Sequence, residues 1–241
     1  MKNSKQDRYY LDVEGNDFFK RNLPKGNLPE LRHNKALIYK NIINSGIKFE
    51  KVLEYGCNYG DLLYQIKKNN HKIQCFGVEA SKDAVEFGNL KFGKNIKLIH
   101  GTVANNKIND NKKFQNYFDL IIIDDVFGWI SRETILQSVA NIDDLLTDGG
   151  HIFIRDFYPD KRLKTKNYHV KRGFIFNYKV PCSHAGIFLN SGIYEVEWET
   201  VFFDNIGIST KYKSDNKFIY RWTDIILKKS YNNYFLESKK L

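Results

Sequence analysis

An apolar run that ends on an acid and passes at once into two glycines limits what this chain can become. Val52, Leu53 and Glu54 lead through Tyr55 into Gly56, Cys57, Asn58, Tyr59 and Gly60. A buried strand, a glycine-rich turn and a helix from about Asp61 is how an α/β sheet presents backbone N–H groups to a ligand. The glycines permit positive φ and close backbone approach, which a Cβ resists. The next apolar run, Cys75 to Val78, also ends on an acid, Glu79. It lies roughly twenty residues past Gly60, where an acid at a second strand tip can take both hydroxyls of a ribose.

Gly56 and Gly60 make G-x-x-x-G, with Asn58 and Asp61 where the dinucleotide fingerprint needs its second and third glycines. A pyrophosphate on that turn needs the second glycine, so a dinucleotide is disfavoured. No G-x-x-x-x-G-K-[ST] run is present to hold nucleotide phosphates. Glu54 at the strand tip would repel a pyrophosphate and attract a cationic amine. The two acids together suit a ligand with an amino-acid end and a ribose end.

At these residues the chain resembles the class I S-adenosylmethionine-dependent methyltransferases. Val52 to Gly60 match the family's first motif, and Glu79 its second. Phe118 to Phe127, carrying Asp124 and Asp125, resemble the fourth motif, and Leu145 to Ile154, with Gly149 and Gly150 at the turn, the fifth. The likeness covers roughly residues 50 to 157, in the family's order. It implies S-adenosylmethionine as cofactor and an α/β, Rossmann-like, seven-stranded, mostly parallel sheet, with a terminal antiparallel hairpin and helices on both faces.

A chain of 241 residues is long enough for one such domain and too short for two large ones. The three cysteines, Cys57, Cys75 and Cys182, form no C-x-x-C and no ligand spacing with histidine, which reads as reduced thiols in a cytoplasmic protein. No apolar run approaches the length of about 20 residues that a membrane helix needs. The N-terminus also lacks a signal-peptide core, so a soluble protein is expected. The net charge of +10 fits either a nucleic-acid partner or a solvated basic face. Basic clusters at Lys161 to Lys166 and at Lys171-Arg172 leave an acidic or phosphorylated small molecule open as a third partner.

Apolar runs predict strands at 51–55, 74–79, 96–100, 118–124 and 151–157, alternating with helices at 60–69, 81–91 and 132–146, the last capped by Ser131. This rhythm argues for parallel strands with right-handed crossovers. Ahead of it, residues 1–48 read as a helical cap, with helices over Asp7–Asn22 and Pro29–Ser45. The methyltransferase domain is expected over 49–230. Within it, an irregular acceptor-binding insertion occupies about 158–192 and ends in a short helix from Ser183 to Ser191. Strands at Tyr194–Phe203 and Lys217–Lys228 flank a polar loop, and 231–241 form a tail.

The resemblance assigns Glu54 to the methionine amine and the backbone at Gly56, Asn58 and Gly60 to the methionine end. It gives Glu79 the ribose, and Ala80 and Ser81 the adenine. The family's acid after the third strand is missing, and Thr102 and Val103 stand in its place. Asp124 and Asp125 fall at the carboxyl edge, beside the transferred methyl or as a turn cap. Trp129 occupies a place where many relatives carry histidine. The candidates for proton removal are therefore Asp124, Asp156, His169 and His184, whereas His151 at a strand start reads as structural. No histidine or carboxylate set has metal-ligand spacing. Glu14 to Asn22 and Arg155 to Pro159 are loosely similar to methylases of bacterial surface-sugar pathways, which implies O-methylation of a sugar, a nucleotide-linked sugar or a phosphorylated metabolite. An RNA methyltransferase and a non-catalytic binding module of the same fold are the alternatives.

Overall fold

A computed structural model of the chain describes residues 4–23, 31, 33–167, 169–170, 175–203 and 221–230. The chain opens with α1 (Lys5–Tyr9), a π-helical turn (Tyr10–Glu14), α2 (Gly15–Arg21) and α3 (His33–Asn44). It then alternates β1 (Lys51–Tyr55), α4 (Asp61–Asn69), β2 (Gln74–Glu79), α5 (Lys82–Phe92), β3 (Ile96–His100), β4 (Phe118–Asp124), α6 (Ile135–Leu145) and β5 (Leu146–Phe157). A small pair, β6 (Leu163–Lys166) and β7 (Phe176–Lys179), follows, then α7 (Ala185–Leu189), β8 (Tyr194–Phe203) and β9 (Arg221–Lys229).

The seven-stranded sheet runs β3-β2-β1-β4-β5-β9-β8. Its first five strands are parallel, while β9 pairs antiparallel with β5 and with β8. This is the Rossmann-like sheet with a terminal hairpin that the sequence predicts. Strand order reverses between β1 and β4, so their carboxyl ends splay apart and leave a crevice there. Parallel strands buried on both faces read as continuous apolar runs rather than alternating ones, and β4 (Phe-Asp-Leu-Ile-Ile-Ile-Asp) is such a strand. Leu53, Tyr55, Ile121, Ile123, Ile152 and Ile154 fill one face. Val52, Leu120, Ile122 and Phe153 fill the other, against Leu62, Leu63 and Ile66 of α4 and Ile38 and Ile42 of α3.

Several boundaries differ from expectation for identifiable reasons. Helix α6 starts at Ile135, not at 132. The Thr134 hydroxyl donates to Asp7 Oδ2 at 2.7 Å, and Asp7 Oδ1 accepts the Ser131 N–H at 3.4 Å, so the Ser131–Thr134 turn clamps α1 instead of opening the helix. Strand β5 begins at Leu146 because Gly149, at φ +77°, lets it bulge opposite the Phe118/Leu120 register shift of β4. The helix expected from Ser183 is split: Ser183 (φ +47°) and His184 (φ +58°) are left-handed, so a 3₁₀ turn at Pro181–His184 precedes α7. The β6–β7 pair was not foreseen in the irregular insertion. It is completed by Gln6, whose side chain donates to the Phe176 carbonyl at 3.0 Å and accepts the Phe176 N–H at 3.2 Å. The hairpin strand lies at Arg221–Lys229, and the expected strand residues 217–220, the loop 204–216 and the tail 231–241 fall outside the described residues. Among the described residues β8 is the edge strand on the hairpin side of the sheet, and its register shifts between Val196 and Trp198.

Gly77 sits mid-strand in β2, where an added Cβ would lie 2.5 Å from Cys57 Sγ and 2.9 Å from Leu63. Overpacking of this kind costs about 1–3 kcal/mol. Gly77→Ala is expected to lower the unfolding free energy by that amount, read as a shifted urea midpoint at unchanged slope.

Candidate active site

A cavity of about 530 Å³ opens at the carboxyl edge of β1, β2 and β4 and is roofed on one side by α1–α2. Its floor is the turn after β1. Gly56 lies at φ +69°, and a Cβ there would stand 2.4 Å from Val126 Cγ2, so glycine is required twice over. Asn58, at φ +51°, turns its N–H onto Glu79 Oε2 at 2.8 Å, while the Ser81 N–H holds Glu79 Oε1 at 2.8 Å. Glu79 is thereby aimed by backbone alone. Burial pushes its carboxyl up, and the N–H groups of Ser81, Asn58 and Ala80 oppose that rise. Ala80, Thr102 and Val103 continue the wall. The Thr102 hydroxyl is engaged in its own turn, accepting the Asn105 N–H at 3.1 Å.

Two expected contacts stand behind the wall rather than on it. Gly60 (φ +82°) starts α4 with its Cα against Ile96 and Leu98. Ser81 caps α5 by accepting the Ala84 N–H at 3.1 Å, and its hydroxyl donates to Asn16 Oδ1 at 2.9 Å. That second bond bolts α2 to the rim. Gly15 makes the docking close, since a Cβ there would lie 2.9 Å from the Ser81 nitrogen.

Glu54 is also one layer back, fully buried. Lys35 of α3 covers it, with Nζ 2.6 Å from Glu54 Oε1 and 2.9 Å from Asp124 Oδ2. Burial lifts the Glu54 carboxyl to about 7 against the pull of the Lys35 ammonium, and its Oε2 has no hydrogen-bond partner. Arg155 of β5 fixes the helix that carries Lys35. Its Nε and Nη2 each reach Asp224 at 2.5 Å, and its Nη1 donates to the Asn34 carbonyl at 2.9 Å. Asn41, further along α3, donates to Asp224 Oδ2 at 2.6 Å.

The far end of the cavity is acidic. Asp125 (φ +52°) hangs its N–H on the Arg155 carbonyl at 2.8 Å and leaves Oδ1 buried without a partner. Burial first, then Asp156 and Asp124, hold its carboxyl well above the usual range, opposed by Lys179 and a hydrogen bond from Trp129. Asp156 and His184 lie behind it as a buried pair, with His184 Nδ1 2.6 Å from Asp156 Oδ2 and Nε2 unpartnered. His169 is an exposed residue on the cavity wall. His151 lies within β5 rather than at its start, binds Glu197 at 2.8 Å and is not part of the cavity wall. Lys161, Arg162, Lys164 and Lys166 are not part of the wall, and Lys164 Nζ lies 3.9 Å from the centroid of the Phe176 ring. No group of three or more metal-ligating side chains occurs among the described residues. Nor is any described helix long and apolar enough to cross a membrane.

The wall therefore brings together Gly56, Asn58, Glu79, Asp124 and Asp125, and adds Lys35, Asp7, Glu14 and Arg155, to which the sequence alone assigned no site role. Lys35 carried a signal. It lies three and seven residues before Ile38 and Ile42, on the apolar stripe of α3, where an unpaired lysine would not be tolerated.

Residues 53–152 match a protein family described as a methyltransferase domain. An uncharacterized protein of Rickettsia prowazekii is 29% identical over 108 residues, 43% of this chain and 41% of that protein. The chain thus spans about two fifths of the length of the curated relative it matches. Among solved structures, a Methanosarcina mazei S-adenosylmethionine-dependent methyltransferase aligns over 78% of this chain and 97% of its own, at 10% identity and a TM-score of 0.60. A Clostridium acetobutylicum S-adenosylmethionine-dependent methyltransferase aligns over 92% and 99%, at 14% identity and a TM-score of 0.55. The Burkholderia thailandensis 1,6-didemethyltoxoflavin-N1-methyltransferase, with bound 1,6-didemethyltoxoflavin and S-adenosylhomocysteine, aligns over 86% and 93%, at 11% identity and a TM-score of 0.56.

Glu54 makes stability depend on pH in a definite direction. Its native carboxyl titrates at about 7 against an ordinary 4.5, so between those values the folded chain holds a proton that the unfolded chain has released. Relative to Glu54→Gln, the native protein should gain stability as pH falls from 8 to 5, by at most about 1.4 kcal/mol per unit of pKa difference. Denaturant titrations of both proteins across that range check the sign.

Proposed function

We propose that this chain, whose fold and motif order are those of the class I S-adenosylmethionine-dependent methyltransferases, methylates an oxygen of a small polar acceptor. S-adenosylmethionine is the cofactor and supplies an activated methyl group when bound. The residues present fit it. Glu79 offers a half-buried carboxylate, already oriented by two N–H groups, to a ribose diol. Glu54 Oε2 and Asn58 Oδ1 are buried acceptors without partners, next to the turn where an amino-acid end would lie.

The observation that carries the acceptor assignment is the continuation of one cavity from Glu79 to Asp125, beneath α1–α2. A pocket roofed by the chain's own N-terminal helices suits a small molecule. Its carboxylates Asp7, Glu14, Asp124 and Asp125 oppose a polyanion such as RNA. The cations on its wall are each engaged, Arg21 with Glu14 at 2.7 Å, Arg155 with Asp224, and Lys35 with Glu54. An uncharged polyol therefore fits better than a phosphorylated compound. The stretches similar to surface-sugar methylases, Glu14–Asn22 and Arg155–Pro159, both contribute to this wall, which supports a sugar hydroxyl as acceptor. The free, buried thiols Cys57 and Cys75 accord with a reducing, cytoplasmic setting.

Asp125 is placed to take the acceptor's proton. It lines the cavity and carries an unpartnered Oδ1, so a carboxylate oxygen faces the space an acceptor hydroxyl would fill. The Asp156–His184 pair behind it acts as a positioning element, and His169 meets the acceptor from the exposed side.

Glu79→Ala should weaken S-adenosylhomocysteine binding by about 1.5–3 kcal/mol, the loss expected of hydrogen bonds to a charged group, measured by titration calorimetry. Asp125→Asn should retain that binding while turnover falls by roughly 10²–10⁴-fold, the usual weight of a general base. Activity is read by mass detection of one added methyl after incubation with a cell-extract metabolite pool. A native protein that gives no heat with S-adenosylhomocysteine would mark the chain as a non-catalytic module. Affinity for RNA that falls steeply with salt would favour the RNA enzyme.

A further inference from the structure

The position a cofactor amine would take beside Glu54 is filled here by an ammonium of the chain itself. Lys35 Nζ stands between Glu54 Oε1 and Asp124 Oδ2, 2.6 and 2.9 Å away, with its side chain 3% exposed. Two carboxylates share one cation, so the cluster carries a formal excess of one negative charge, and Glu54 Oε2 has no partner. A free amino acid end is a zwitterion. Its ammonium is chemically equivalent to the lysine head, and its carboxylate needs a cation.

The other cations of the wall are not free to serve. All three donor nitrogens of Arg155 are used, by Asp224 and by the Asn34 carbonyl, and Arg21 is paired with Glu14. Lysine differs from both in presenting a compact charge on a flexible stem of four carbons, which can exchange partners without moving its helix. Meanwhile α3 is pinned at Asn34 and Asn41, so only the side chain has to turn.

We propose that Lys35 recognises the methionine carboxylate of the cofactor: the methionine ammonium takes over Glu54 and Asp124, and the displaced lysine head pairs with the carboxylate. The exchange conserves charge, since one ammonium replaces another at the two acids and a new ion pair forms beside them. It makes Lys35 a specificity residue that selects a nucleoside with an intact amino-acid end. This inference rests on the cofactor reading above.

The test uses three ligands in titration calorimetry with the whole chain: S-adenosylhomocysteine, its decarboxylated analogue, which keeps the amine, and 5′-methylthioadenosine, which has neither group. The native protein should prefer S-adenosylhomocysteine to the decarboxylated analogue by at least tenfold. Lys35→Met should erase that preference and leave 5′-methylthioadenosine affinity within twofold of native. Because the single variant leaves two acids facing each other, the same preference is also measured in Lys35→Met combined with Glu54→Gln. An undiminished preference in either variant, or S-adenosylhomocysteine binding that tightens when Lys35 is removed, would show the lysine to be a mere competitor for Glu54 and overturn the proposal. Equal losses for all three ligands would overturn it too, by assigning Lys35 a purely structural role. If the native protein binds none of the three, the cofactor reading falls and takes this inference with it. Binding of all three without discrimination by the native protein overturns the inference alone.

Discussion

The buried contact of Lys35 with Glu54 and Asp124 is the constraint around which the molecule is arranged. It joins a helix from the N-terminal segment to two central parallel strands at the point where strand order reverses. Burying a carboxylate without a partner would cost several kcal/mol, and pairing it offsets much of that without turning it into a large net gain. Its weight is therefore in position. Truncating one partner would leave a charge stranded in the interior, a loss of about 3–5 kcal/mol. Arg155 and Asp224 repeat the scheme one layer away and tie β5, β9 and α3 into one frame.

That frame turns a generic sheet edge into a shaped cavity. Any parallel sheet leaves a crevice where its strand order reverses, but the crevice becomes a pocket only when something roofs it. Here the roof is α1–α2, held by contacts that join residues far apart in sequence: Gln6 to the Trp129 and Phe176 carbonyls, Asp7 to Thr134, and Asn16 to Ser81. The roof supplies Asp7, Glu14 and Arg21 to the pocket, so the segment ahead of the sheet is part of the site.

What the sequence made legible follows the same division. Strands β1, β2 and β4 could be read because each is a largely buried apolar run with an acid at or next to its carboxyl end: Glu54, Glu79 and Asp124. The glycine turn was legible because Gly56 and Gly60 adopt conformations that other residues resist. The α6 start differs from the expected 132 because Ser131, a helix cap by local sequence, and Thr134 are both held by Asp7, more than a hundred residues earlier. The β6–β7 pair left no alternation to find in four-residue strands, and a side chain, Gln6, completes its edge. Of the catalytic candidates, Asp124 and His169 reached the wall, whereas Asp156 and His184 form a pair behind it. Asp125, read as a cofactor or cap residue, is the wall acid with an unmatched oxygen.

The shifted register of β8 has a consequence for how copies of this chain behave toward one another. Among the described residues no further strand pairs with the outer edge of the ten-residue β8, and such a margin is a template for any strand that drifts alongside. In β8 the bulge between Val196 and Trp198 kinks that template, and Glu195, Glu197 and Glu199 place like charges along it. Two such margins meeting edge to edge would bring acid against acid across mismatched ladders. The exposed Val196 and Val201 thus share their strand with three exposed acids, so charge interrupts the apolar surface along this margin.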